Sequence, residues 1–260
     1  YSEENYIYSH KIFGKMLMDF DRMAVRPLDF TTRFEAMKDS INADYYPDAE
    51  ATVKLLDQAV AAGEKLNQKI ASMNSDYAAA LKSGNSSKIE SIGTEAKELN
   101  LKLAAINKKT TLDFTKLDND ISIVFPAEVP TANLTALADA ISGLEKGNAG
   151  PALDDDLWAV DDNYGAYNFD RATCQYFIDQ LMKQPADRLA WGANMVYGNL
   201  DLFDVIQSLK AKNDTGATDF SAEIATLKSG MDYEQTKLNE IAAKQSDDLQ
   251  QFISSINSIL

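Results

Sequence analysis

A single histidine and a single cysteine in 260 residues remove most metal and nucleophile chemistry from this chain. A structural zinc site draws four ligands from Cys and His, and two such residues cannot supply it. One Cys forms no internal disulfide. A Ser–His–Asp triad would have to use His10, and no Gly-x-Ser-x-Gly turn accompanies it. The Glu-x-x-His pairs of a carboxylate di-metal bundle are missing, as are the glycine-rich loops that cradle phosphates. No cofactor and no metal are therefore expected. With only 6 Pro and 12 Gly, the chain is also short of the turn residues that a β-sandwich or barrel needs about every ten residues. No run of about 18 apolar residues occurs, so no transmembrane helix is expected.

Basic residues are scarce too. Twenty-five bases face 40 acids, for a formal charge of −15. Nucleic-acid affinity rests on clustered Lys and Arg, and even residues 83–125, the least acidic stretch, match each Lys with an acid. Neither nucleic acid nor an anionic membrane surface is an expected partner. The net charge reads as a solubility device. The chain starts at Tyr1 with neither Met nor a signal-peptide apolar segment, as a processed or trimmed form would. Its acidic, Asn-, Ser-, Thr- and Tyr-rich composition points to an extracytoplasmic protein, secreted or anchored in the cell envelope.

What the chain does have is a sustained seven-residue apolar rhythm. Val53, Leu56, Val60, Leu66, Ile70, Met73, Tyr77 and Leu81 fall at steps of three and four, interrupted at Gly63. Ile89, Ile92, Ala96, Leu99, Leu103, Ile106, Thr110, Phe114, Leu117, Ile121 and Val124 repeat the pattern after the turn Ser83-Gly84-Asn85-Ser86. This spacing predicts two long helices, 48–82 and 87–124, folded back on one another. A third runs over 218–260, entered through Thr218 or Asp219, with Glu234 and Gln245 as polar interruptions of its seam. Shorter helices are expected at 3–24, 30–44, 131–144, 169–184 and 187–211.

The fold class that follows is all-α: an elongated antiparallel bundle of long heptad-patterned helices with a smaller helical insertion. It is read as a single domain over 1–260, with the bundle at 1–124 and 218–260 and the insertion at 125–217. The helix at 3–24 is expected to be the bundle's fourth member. His10 lies on its apolar side and is expected to be a buried or half-buried structural residue. Cys174, among aromatics on a helix, reads as a small core residue. Gly63 and Gly93 each read as a helix defect costing about 1 kcal/mol against Ala.

One segment differs from this background. Residues 154–170 combine six acids and no base with Trp158, Tyr164, Tyr167 and Phe169, and neighbouring helices add Tyr176, Phe177, Trp191 and Tyr197. Three readings compete. One is a cleft with an acidic rim and aromatic walls, where Trp158, Tyr164, Tyr167 and Trp191 stack and Asp155, Asp161 and Asp162 anchor a cationic or hydroxyl-rich ligand. Another is calcium held by Asp161, Asn163 and their neighbours, although the EF-hand spacing is not met. The third is a solvated acidic loop with a satellite core beneath it.

No motif is specific enough to indicate a family. The leading functional reading is a non-catalytic extracytoplasmic binding or scaffold protein, in its most concrete form the ectodomain of a bacterial surface lipoprotein. Its partner would be a protein, a glycan or a cationic ligand. Two alternatives stand beside it: a helical pore-forming or membrane-active protein, and a carboxylate-dependent enzyme acting on a sugar or peptide.

Overall fold

The computed structural model describes residues 2–117, 123–163, 165–183 and 199–260, and among these the chain is all-α. Its helices are α1 (Glu3–Asp21), α2 (Thr32–Asp39), α3 (Ala49–Ser83), α4 (Ser86–Phe114), α5 (Glu128–Glu145), α6 (Gly165–Asn168), α7 (Arg171–Met182), α8 (Phe203–Asp214) and α9 (Ser221–Asn257). A two-residue ladder pairs β1 (Lys116–Leu117) with β2 (Ile123–Val124), antiparallel. Contacts divide the chain into two compact units. The first comprises residues 1–39, 51–113 and 246–260; the second, residues 40–50 and 114–245.

In the first unit the middle of each heptad seam is buried as the spacing predicts, whereas Val53, Val60, Met73, Tyr77, Ile89, Ile92 and Ile106 are half-buried and Leu81 is exposed. Leu56, Leu66 and Ile70 of α3, Ala96, Leu99 and Leu103 of α4, and Leu249, Phe252 and Ile256 of α9 are all inside. At 35 residues, α3 is about 52 Å long. Gly84 takes a left-handed φ of 67° in the turn after it, and the Asn85 side chain accepts from the Lys88 N–H to start α4. That second helix ends at Phe114, ten residues before the expected 124. Thr110, Thr111 and Thr115 are poor helix formers, and Asp118-Asn119-Asp120 is a run of turn formers. Ile121 of the expected seam lies outside the described residues.

The N-terminal helix departs from expectation. Ser2 caps α1 by accepting from the Asn5 N–H, yet none of the helix's residues is buried. His10 is accordingly exposed, its Nδ1 2.9 Å from the Tyr6 carbonyl and its ring against that of Tyr6. The bundle's cover comes from the chain that follows. Asn74 of α3 bonds both the N–H and the carbonyl of Val25, at 2.8 and 2.9 Å. Asn100 of α4 bonds the Arg26 N–H and the Ala24 carbonyl, both at 2.9 Å. Buried Val25, Phe30, Phe34 and Met37 then fill the core, with the Phe34 ring 4.6 Å from that of Phe252. Asp29 accepts from Thr31, Thr32 and Asn67, which holds its carboxyl well below the usual range. Gly63 makes this seat possible, since a Cβ there would sit 2.6 Å from the Phe30 carbonyl oxygen.

The second unit is organised around α5. Leu137, Ala140, Ile141 and Leu144 pack with Ala152, Leu153, Leu157 and Val160 from the turns that follow, and with Ile206 and Leu209 of α8. A smaller cluster joins Tyr46, Ala127, Leu134, Leu238 and Ala242. The Tyr46 hydroxyl donates to Gln245 Oε1 at 2.8 Å, which explains one polar interruption in the α9 seam.

Candidate binding cleft and a buried charge cluster

After Pro151 the backbone makes one π-type turn, Ala152–Asp156, and then a 3-10 turn, Val160–Asp162. Apolar residues at 152, 153, 157, 160 and 166 face the core, so Asp154, Asp155 and Trp158 are left outside. Trp158 is 49% exposed. Its indole helps line a cleft of about 460 Å³ with Leu153, Asp154, Tyr167, Asn168 and Lys210.

Lys210 of α8 closes one wall. Its ammonium donates to the carbonyls of Ala166 and Tyr167, at 3.3 and 3.4 Å, and stands 4.4 Å from the Tyr167 ring centroid. Burial, reinforced by Asp154 and Asp156, pushes the Tyr167 phenol up to about 12. Among the described residues its hydroxyl is buried without a hydrogen-bond partner. Burial, helped by Asp139 and Asp155, also raises Asp156. Among its described lining residues the cleft thus offers an indole face, the edge of the Tyr167 ring, one carboxylate and one ammonium, a set that stacks on a hydroxyl-rich ligand and hydrogen-bonds it through Asp154 and Lys210.

The expected site residues separate. Trp158 and Tyr167 line the cleft, whereas Asp155 is exposed and is not among its lining residues. Tyr164, Trp191 and the side chain of Asp162 lie outside the described residues. Lys210 was not anticipated, because it comes from a helix more than forty positions away and carries no local signal.

Asp161 belongs to a different structure. Its side chain is 3% exposed, and its backbone is left-handed at φ 44°. Oδ1 accepts from Asn133 Nδ2 at 2.8 Å, while Oδ2 accepts from the Leu200 N–H at 2.8 Å and lies 3.5 Å from Lys237 Nζ. Lys237 also donates to Glu234 at 2.9 Å, and Glu234, fully buried, accepts from Asn133 at 3.2 Å through its other oxygen. Burial, reinforced by Asp161, raises the Glu234 carboxyl. Burial works against the Lys237 ammonium, but its bond to Glu234 and the charge of Asp161 outweigh this and raise it. Next along the chain, Asn163 donates to the Val160 and Leu200 carbonyls and accepts from the Leu202 N–H. The oxygens that a calcium loop would direct at a cation are therefore spent on Asn133, Lys237 and backbone N–H groups. The pair Asp161 and Asn163 clamps residues 199–202 instead.

No group of three or more His, Cys, Asp or Glu among the described residues is placed to hold a metal ion. Cys174 is half-buried against the second unit's core, and burial raises its thiol, which keeps it a poor nucleophile. Compared with known protein families, curated proteins and solved structures, the chain matches none.

Proposed function

We propose that this chain is a non-catalytic binding protein working outside the cytoplasm, with the ectodomain of a surface lipoprotein as its most concrete form. Its ligand site is the cleft between Trp158 and Tyr167. The observation that carries this reading is the half-exposed indole, which shares a cleft with a tyrosine ring, Asp154 and Lys210. Exposing an indole costs apolar burial, and a stacked ligand recovers it. Because carboxylate and ammonium sit in the same cleft, a neutral hydroxyl-rich ligand such as a glycan fits better than an ion of either sign.

Binding is favoured over hydrolysis because, among the described residues lining the cleft, Asp154 is the one carboxylate, whereas glycosidic cleavage uses two flanking the scissile bond. A membrane-active reading gains nothing from α5, whose apolar residues Leu134, Leu137, Ile141 and Leu144 are committed to the core. No described helix is long and apolar enough to cross a membrane.

The test is tryptophan fluorescence during titration with a panel of neutral oligosaccharides, a polyamine and a basic peptide. A saturable response to an oligosaccharide, abolished by Trp158→Ala and weakened about tenfold or more by Asp154→Asn, is expected. Silence to every oligosaccharide, or a response that Trp158→Ala leaves intact, would overturn the assignment.

A further inference from the structure

The surface of α1 is unlike that of any other long helix described. Phe13 and Leu17 are 65% and 71% exposed, and Tyr6, Met16 and Phe20 are about half exposed. Tyr6, Phe13 and Phe20 recur at every seventh residue, the period that keeps side chains facing a partner helix. Tyr6, Phe13 and Leu17 line a groove of about 660 Å³ together with the small residues Ser2, Ser9 and Gly14. A Cβ on Gly14 would meet nothing within 4 Å, so that part of the groove is open. The same face therefore carries both projecting rings and the hollows that could receive them.

We propose that this face is a self-association surface, on which α1 pairs with α1 of a second copy of the chain. Self-complementarity is what a two-fold interface requires. Area supports it: the exposed parts of Tyr6, Phe13, Met16, Leu17 and Phe20 offer on the order of 500 Å² per helix, so a symmetric pair reaches the roughly 1,000 Å² of a specific interface. Position supports it as well, since Asn5, Ile12 and Leu17 flank the middle of the seam without charge, and the flanking acids Glu3 and Asp19 lie at its two ends. A lipid surface fits less well. It needs neither a seven-residue register nor a groove, and Glu3, Glu4, Asp19 and Asp21 acidify both ends of the helix in a chain of charge −15.

Sedimentation velocity on the full chain between about 1 and 100 µM tests the pairing. Dimer should dominate at the upper end and strengthen with salt, which screens the repulsion between two acidic copies. Phe13→Glu combined with Leu17→Glu should raise the dissociation constant at least about 100-fold. Its circular dichroism should stay unchanged, because these side chains are not buried in the monomer. Gly14→Leu, which fills the groove, should weaken association in the same direction. Leu101→Glu with Leu112→Glu, equally exposed on α4, should leave the dimer intact. A monomer across the whole range, or a dimer that survives the Phe13 and Leu17 changes, would overturn the proposal. So would a monomeric chain that floats with phosphatidylcholine–phosphatidylglycerol vesicles and loses that binding in the same double variant.

Discussion

In the unit built on α3 and α4, the groups that lace residues 24–26 to the long helices are neutral amides. In the unit built on α5 and α8, the polar cluster around Asn133 carries three charges, Asp161, Glu234 and Lys237. Asn74 and Asn100 each donate one hydrogen bond to, and accept one from, the backbone at residues 24–26, and each such bond contributes only about 1 kcal/mol to folding. Asp161, Glu234 and Lys237 are a different matter. Each ion gives up several kcal/mol of hydration, which only the complete set of partners offsets. The first unit should therefore fail gradually as contacts are removed. The second should fail abruptly when any one charge is lost, because the survivors stay buried without compensation.

The largest effect expected of a polar substitution follows from that difference. Lys237→Met leaves Asp161 and Glu234 facing Asn133 with no cation between them, and should cost about 3–5 kcal/mol in urea denaturation. Adding Glu234→Gln should recover at least half of the loss, since one negative charge then remains where two stood. A cost below about 1 kcal/mol for the single change would mean that water reaches the cluster, and the contrast between the units would disappear.

Apolar truncation in the other unit should match that cost by a different mechanism. Leu103 is fully buried on α4, so Leu103→Ala should cost about 2–5 kcal/mol through lost transfer energy and the cavity left behind. Exposed Lys97→Ala and Lys102→Ala on the same helix should stay within about 0.5 kcal/mol. Equal tolerance at both kinds of position would show that the helix is not seated on the face its spacing indicates.

How much of this was legible depends on whether a residue's role is local. The long helices were readable because Leu56, Leu66 and Ile70, or Leu99 and Leu103, announce a face by spacing alone. That same spacing misled at α1, because periodicity identifies a face but not whether anything covers it. The segment that does cover the bundle, from Val25 to Thr31, has no period at all. Its seat is fixed by Asn67, Asn74 and Asn100, whose amides look like ordinary helix surface in sequence. Asp161 was hidden by its neighbours: one acid in an acidic run reads as solvated. The usable signal lay on α9, where Glu234 interrupts an apolar seam with Lys237 one turn on, a pattern that calls for a buried partner. The aromatic cleft was half legible, since Trp158 and Tyr167 are close in sequence and Lys210 is not.

Gly63 and Gly93 sharpen the lesson, because sequence gives them the same cost and the structure does not. Both sit inside long helices, where replacing Gly by Ala gains up to about 1 kcal/mol if nothing obstructs the new methyl group. At Gly93 nothing lies within 4 Å of the position a Cβ would take, so Gly93→Ala should stabilise by that amount. At Gly63 the new atom would meet backbone, the Phe30 oxygen at 2.6 Å and its carbon at 3.0 Å. Backbone held by the Asp29 and Asn67 bonds cannot swing aside as a side-chain tip would. Overpacking of this kind costs about 1–3 kcal/mol, so Gly63→Ala should destabilise despite its better helix propensity. Urea midpoints of the two variants should therefore move in opposite directions. If both move upward, residues 24–31 do not rest against α3, and the laced segment is not what closes the first unit.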